Sequence, residues 1–199
     1  MALKTFVKIN GVNNLSDARY CAGMNVNLMG FSVDPNSDGY ISPEKYDEIT
    51  SWISGVEFVG ELGEFMGNNI SSLASDYGVS YIESSNLNVL KSIGTPLKKI
   101  LKVDIVNIDK SDFEDIDLII VNKDTDDITP EEIATIKKVA AYNKVLIGYG
   151  VTVDNLDSLL EETNAYGIAI SAGSEIRPGY KDYDELADIL EALEIDEWA

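Results

Sequence analysis

Short apolar runs recur along the chain, and most are followed by a longer stretch whose apolar residues fall at helical spacing. The runs occupy 6–9, 27–33, 56–62, 79–82, 100–103, 118–121, 144–147 and 166–170. They are brief and rich in β-branched and aromatic residues, as strands buried on both faces are. Between them lie helix signatures. Ser42-Pro43 supplies an N-cap and a first-turn proline ahead of Ile49, Trp52 and Ile53, which the pattern assigns to the core. Thr129-Pro130-Glu131-Glu132 adds a capping box, and Ile133, Ile136 and Ala140 mark the buried face behind it. Thr152 is expected to cap a helix carrying Leu156, Leu159 and Leu160. Leu186, Ile189, Leu190 and Leu193 form the stripe of the last helix. The stretch 104–117 has little pattern and reads as a loop or an abbreviated helix.

Eight strands alternating with helices, with no linker between them, predict a single (β/α)8 TIM barrel over residues 1–199. An open doubly wound sheet is the alternative, but no Gly-x-Gly-x-x-Gly turn follows the first strand. A barrel places its chemistry just past the C-terminal ends of the strands. Here those positions hold Asn10, Asp34, Glu61, Glu83, Asp104 and Asn122, then Gly148, Gly150 and Ser171-Ala172-Gly173-Ser174-Glu175. The glycine-rich end after strands 7 and 8 suits a phosphate held by backbone N–H groups at the start of a short extra helix.

Charge narrows the partners. Thirty-five acids against 15 bases give −20, a field that repels nucleic acid and anionic membrane. A polar or phosphorylated small molecule is the expected partner, with no cofactor implied; oligomeric state is not readable. One cysteine and no histidine argue against zinc, and Cys21 reads as an inert buried thiol. A free thiol, no leader-like start and no apolar run near the roughly 18 residues of a membrane span lead to a cytoplasmic expectation. The loop "DPNSDGYISPEK" at 34–45 imitates a calcium loop but has Lys45 where a bidentate glutamate is required, and a strand-like segment before it. Asp34 and Asp38 leave weak divalent binding open there. Glu61, Glu83 and Asp104 are either solvated rim charges or a cluster for Mg²⁺ or a cationic ligand, in which one carboxyl could raise the pKa of another.

Particular letters then resemble a family. Lys8-Ile9-Asn10-Gly11-Val12 is similar to K-I-C-G-[IL]-T, and Leu15-Ser16-Asp17-Ala18 to Leu-x-Asp-Ala. Gly30-Phe31-Ser32-Val33-Asp34-Pro35 through Tyr40-Ile41-Ser42-Pro43-Glu44 follows G-F-x-F-x-P-x-S-x-R-Y-I-S-P-E. Gly148-Tyr149-Gly150-Val151 and Ile170-Ser171-Ala172-Gly173-Ser174-Glu175, with Pro178-Gly179-Tyr180-Lys181-Asp182, complete the series. In this order and spacing the blocks resemble the phosphoribosylanthranilate isomerase family over nearly the whole chain. The resemblance implies a barrel with a degenerate fifth helix.

It also implies an Amadori rearrangement in which an aspartic acid opens the furanose ring and a cysteine thiolate removes the C2′ proton. Those positions are Asn122 and Asn10 here. A carboxamide does not titrate near neutral pH and cannot replace either group. The family's carboxylate-gripping arginine falls on Gly39, its Q-L-H-G on Ile82-Glu83-Ser84-Ser85, and its glycine-rich segment after strand 6 on Asp124-Thr125-Asp126-Asp127-Ile128. The expectation is therefore a catalytically impaired or repurposed isomerase-like barrel. The alternatives are a small-molecule-binding or regulatory protein, and an altered enzyme that uses the rim carboxylates with a divalent metal. Asn10 and Asn122 are free to bond each other or a ligand hydroxyl.

Overall fold

The computed structural model describes residues 2–63, 70–94, 96–110, 113–177 and 180–195. Eight parallel strands close into one barrel in chain order, β1 pairing with both β2 and β8. They are β1 Phe6–Asn10, β2 Leu28–Ser32, β3 Glu57–Glu61, β4 Tyr81–Ser84, β5 Lys98–Asp104, β6 Leu118–Asn122, β7 Val145–Ile147 and β8 Gly167–Ser171. Each coincides with a run anticipated from the apolar pattern.

The helices are α1 Leu15–Gly23, α2 Pro43–Thr50, α3 Ile70–Tyr77, α4 Leu87–Ser92, α5 Pro130–Ala140, α6 Leu156–Thr163 and α7 Asp184–Ala192. The fifth barrel helix is replaced by a single 3₁₀ segment, Ile105–Lys110, with Ile105 and Ile108 buried. That accounts for the weak pattern over 104–117. Among the described residues no helix is long and apolar enough to cross a membrane.

Strand alternation divides the apolar residues between two cores. Leu28, Val59, Tyr81, Ile100, Ile120 and Leu146 meet inside the barrel. Val7, Ile9, Met29, Phe31, Ile82 and Val121 face outward and pack with the helices. Caps form where the sequence places them at Ser42 and Thr129, the latter with both halves of its capping box.

Three expectations are corrected. Thr152 does not cap α6: Asn155 is the cap residue, and its carboxamide accepts from Thr152 N–H and donates to Gly150 O. Trp52 is 71 % exposed, because α2 ends at Thr50 and the helical period no longer governs the chain there. No extra helix follows β8; Ser174–Arg177 and Tyr180–Asp182 pair as an antiparallel hairpin, β9 and β10, flanking the turn dipeptide Pro178-Gly179. Trp198 lies outside the described residues.

Closure of the barrel depends on Gly167. A Cβ there would sit 1.9 Å from the Phe6 carbonyl oxygen on the adjoining strand, and backbone cannot swing aside as a side chain does. Gly167→Ala is expected to lose about 1–3 kcal/mol by overpacking, read as a lower urea midpoint at unchanged slope.

Candidate functional site

The barrel mouth is built by the inward residues nearest the C-terminal ends of the strands. Register sets Ser32, Glu61 and Glu83 side by side on β2, β3 and β4, and Asp104 beside Asn122 on β5 and β6. A cavity of about 500 Å³ opens among Glu61, Glu83, Ser84, Lys102, Asp104 and Asn122.

Lys8 is the unforeseen member of this site. It is wholly buried, on the same inward face of β1 as Asn10. Its ammonium lies 2.6 Å from Glu61 Oε1 and 2.7 Å from Glu83 Oε2 and also donates to Asn10 Oδ1. To reach β3, the side chain must pass across β2, and it does so over Gly30. A Cβ at Gly30 would stand 1.8 Å from Glu61 Oε1 and 2.8 Å from Lys8 Nζ. The missing side chain is the space in which the ion cluster sits.

Burial alone would drive the proton from Lys8, but the attraction of Glu61 and Glu83 more than offsets it and raises the pKa above its ordinary value. Burial also lifts Glu61 above the usual carboxylate range; Lys8 opposes that rise and Glu83 adds to it. Gly11 N–H donates to Glu61 Oε2 at 3.2 Å, fixing this carboxylate beside the end of β1. The pair with Glu83 differs. Lys8 approaches Glu83 Oε2 off the hydrogen-bond axis, and no donor is aligned on that buried oxygen.

Glu61 and Glu83 are neither the solvated rim charges expected of them nor members of the alternative metal cluster. Glu61 and Glu83 close on an ammonium supplied by the chain itself, and Asp104 Oδ1 accepts from Val106 N–H at 2.9 Å. Among the described residues no group of three His, Cys, Asp or Glu is placed to hold a metal ion. Asp34 lies outside the mouth cavity, buried in its own loop, where Oδ1 accepts from Asn36 N–H at 2.9 Å. Cys21 is fully buried. Asn10 and Asn122, on β1 and β6, are not bonded to each other; Asn10 is held by Lys8.

Gly39 has a negative or extended φ, and a Cβ there would make only ordinary contacts, 3.7 Å to Ser32 Cβ and 3.8 Å to Ser37 Oγ. Nothing in the backbone requires glycine at that position.

A second cavity, about 400 Å³, lies beyond β7 and β8 among Gly148, Gly150, Ser171, Gly173, Asp126 and Glu185. Its glycines have packing reasons. A Cβ on Gly148 would be 2.9 Å from Val121 O, and one on Gly150, where φ is +62°, would be 2.4 Å from Asp126 O. The loop carrying Asp126 is held down by Lys123, which binds Asp127 O at 2.8 Å and Glu132 Oε1 at 3.0 Å. Ala172 N–H is committed to Asn10 O at 3.0 Å. Among its described lining residues this cavity has two carboxylates and no basic side chain, a poor setting for a phosphate dianion.

No sequence-family profile matches the chain. Individual relatives do. The N-(5'-phosphoribosyl)anthranilate isomerase of Aquifex aeolicus is 28% identical over 203 residues, covering 92% of this chain and 96% of that protein. Over nearly its whole length the chain is similar to phosphoribosylanthranilate isomerases. Solved structures of those enzymes share its fold. A monomeric form of the dimeric Thermotoga maritima enzyme aligns with TM-score 0.77 at 21% identity, over 95% of this chain and 98% of that one. A phosphoribosylanthranilate isomerase in complex with reduced 1-(o-carboxyphenylamino)-1-deoxyribulose 5-phosphate aligns with TM-score 0.75 at 20% identity, over 95% of this chain and 98% of that one. Against the family pattern, Lys8 is a shared letter, while Asn10, Asn122 and Gly39 are departures.

Lys8→Met is expected to cost about 3–5 kcal/mol, because it strands two buried carboxylates. Glu61→Gln and Glu83→Gln added to it should restore most of that loss in urea denaturation. A raised lysine pKa contributes stability that is complete below the ordinary value of 10.5 and is lost as pH rises through the folded value. The stability difference between wild type and Lys8→Met should therefore shrink above about pH 10.5.

Proposed function

We propose that this barrel binds a small polar molecule in its mouth and does not perform the proton transfers of the family's isomerisation. The observation that carries this reading is the pair of carboxamides at the two proton-transfer positions. Asn122 lines the mouth cavity, and Asn10, at the end of β1, is fixed by a hydrogen bond from Lys8. Each acid–base group is worth about 10²–10⁴-fold, so losing both removes most of the rate. The arginine missing at Gly39 and the acidic loop set against Gly150 weaken the grip on the aromatic carboxylate and the phosphate as well. The pathway relationship to tryptophan synthesis then survives in the scaffold, and the ligand is a polar or phosphorylated small molecule.

One observation favours a second reading, an altered enzyme. Glu61 combines a raised pKa with a place at the mouth beside Gly11, which suits a proton-transfer group. Solvent deuterium entering ribulose 5-phosphate at carbon next to the carbonyl, and lost in Glu61→Gln, would support it.

The main reading is tested by expressing the protein in an isomerase-deficient tryptophan auxotroph. No growth without tryptophan is expected, and normal growth overturns the proposal. Asn10→Cys, Asn122→Asp and Gly39→Arg together should return measurable isomerase turnover, since a side chain at position 39 meets no close contact.

A further inference from the structure

The mouth cavity is lined by two polar side chains that have no partner among the described residues. Lys102 follows Ile100 by two residues on β5, so strand alternation turns both inward, and Ile100 is in the interior core. Its half-buried side chain lines the cavity, yet among the described residues it forms neither a hydrogen bond nor an ion pair. Asn122, across the β5–β6 ladder, lines the same cavity, and its carboxamide likewise has no partner among the described residues. Beside them is Glu83 Oε2, which is ion-paired with Lys8 at 2.7 Å but has no donor aligned on it. Its neighbours are already engaged: Ser32 Oγ with Ser37 Oγ at 2.6 Å, Ser84 Oγ with Gly63 O at 3.3 Å, and Glu61 with Lys8 and Gly11.

A half-buried ammonium and carboxamide left open beside an acceptor describe their ligand by complement. We propose that Lys102 and Asn122 form the subsite that holds the carboxylate of a small hydroxy or amino acid, while Glu83 Oε2 accepts a hydrogen bond from its hydroxyl or amine. The inference rests on the mouth being the ligand site. Two donors, one ammonium and one amide N–H, match the two oxygens of a carboxylate. Charge selects carboxylate over phosphate. Glu61, Glu83 and Asp104 against Lys8 and Lys102 leave the site at −1, which disfavours a dianion more than a monoanion. The cation that the loop after β2 lacks at Gly39 is thus supplied from β5.

The test is titration calorimetry of the full chain with gluconate, L-serine and ribose 5-phosphate. Gluconate or serine is expected to saturate the site and to bind more tightly than ribose 5-phosphate; the better of the two identifies the donor as hydroxyl or amine. Lys102→Met should weaken that ligand at least about tenfold, about 1.4 kcal/mol, and Lys102→Arg should weaken it less. Because Lys102 has no partner among the described residues, the melting temperature of Lys102→Met should stay within about 1–2 °C of wild type, which separates a binding role from a structural one. Tighter binding of ribose 5-phosphate, no saturation by either acid, or unchanged affinity in Lys102→Met overturns the proposal. Growth of the tryptophan auxotroph would instead overturn the loss of isomerisation, so the two failures are distinguishable.

Discussion

A lysine ammonium enclosed by two carboxylates at the top of a barrel core is the constraint around which the rest of the mouth is arranged. Lys8 has no access to water, so its charge must be met within about one hydrogen-bond length, and Glu61 and Glu83 meet it from β3 and β4. That requirement fixes the rotamer of Lys8, which in turn holds Asn10. It removes two carboxylates from the list of groups free to hold a metal. It also keeps one excess negative charge beneath the cavity, so the polarity of the mouth is set from the layer below.

The two ends of the mouth are built differently. On the β7–β8 side Gly148 and Gly150 are required by packing, because the β6 strand and its loop press directly on them. Lys123 then pins an acidic loop over that side. At the ends of β1 and β6 the mouth carries two carboxamides, Asn10 held by Lys8 and Asn122 lining the cavity. These glycines are therefore a weak guide to phosphate, since packing alone demands them.

Much of this was legible in the chain. All eight strands announce themselves as β-branched runs because both faces of a barrel strand are apolar, and the abbreviated fifth helix shows as missing periodicity over 104–117. Ser42 and Thr129 are readable as caps because the cap is local. Trp52 lies beyond the helix because a helical period says nothing about where the helix stops, and the hairpin after β8 departs from the short helix that many barrels place there, which no local pattern over 174–182 had specified. The strand-end rule found Asn10, Glu61, Glu83, Asp104 and Asn122. It missed Lys8 and Lys102, each two residues short of its strand's end. A charged letter at an inward position of an otherwise apolar strand was the available signal.

Gly30 shows how an absent side chain can be held in place by its neighbours. The volume over β2 that a Cβ would fill is where the Glu61 carboxylate meets the Lys8 ammonium. Position 30 therefore cannot take even a methyl group unless that carboxylate is first released, and the tolerance of one strand to substitution is set by an ion pair between two others.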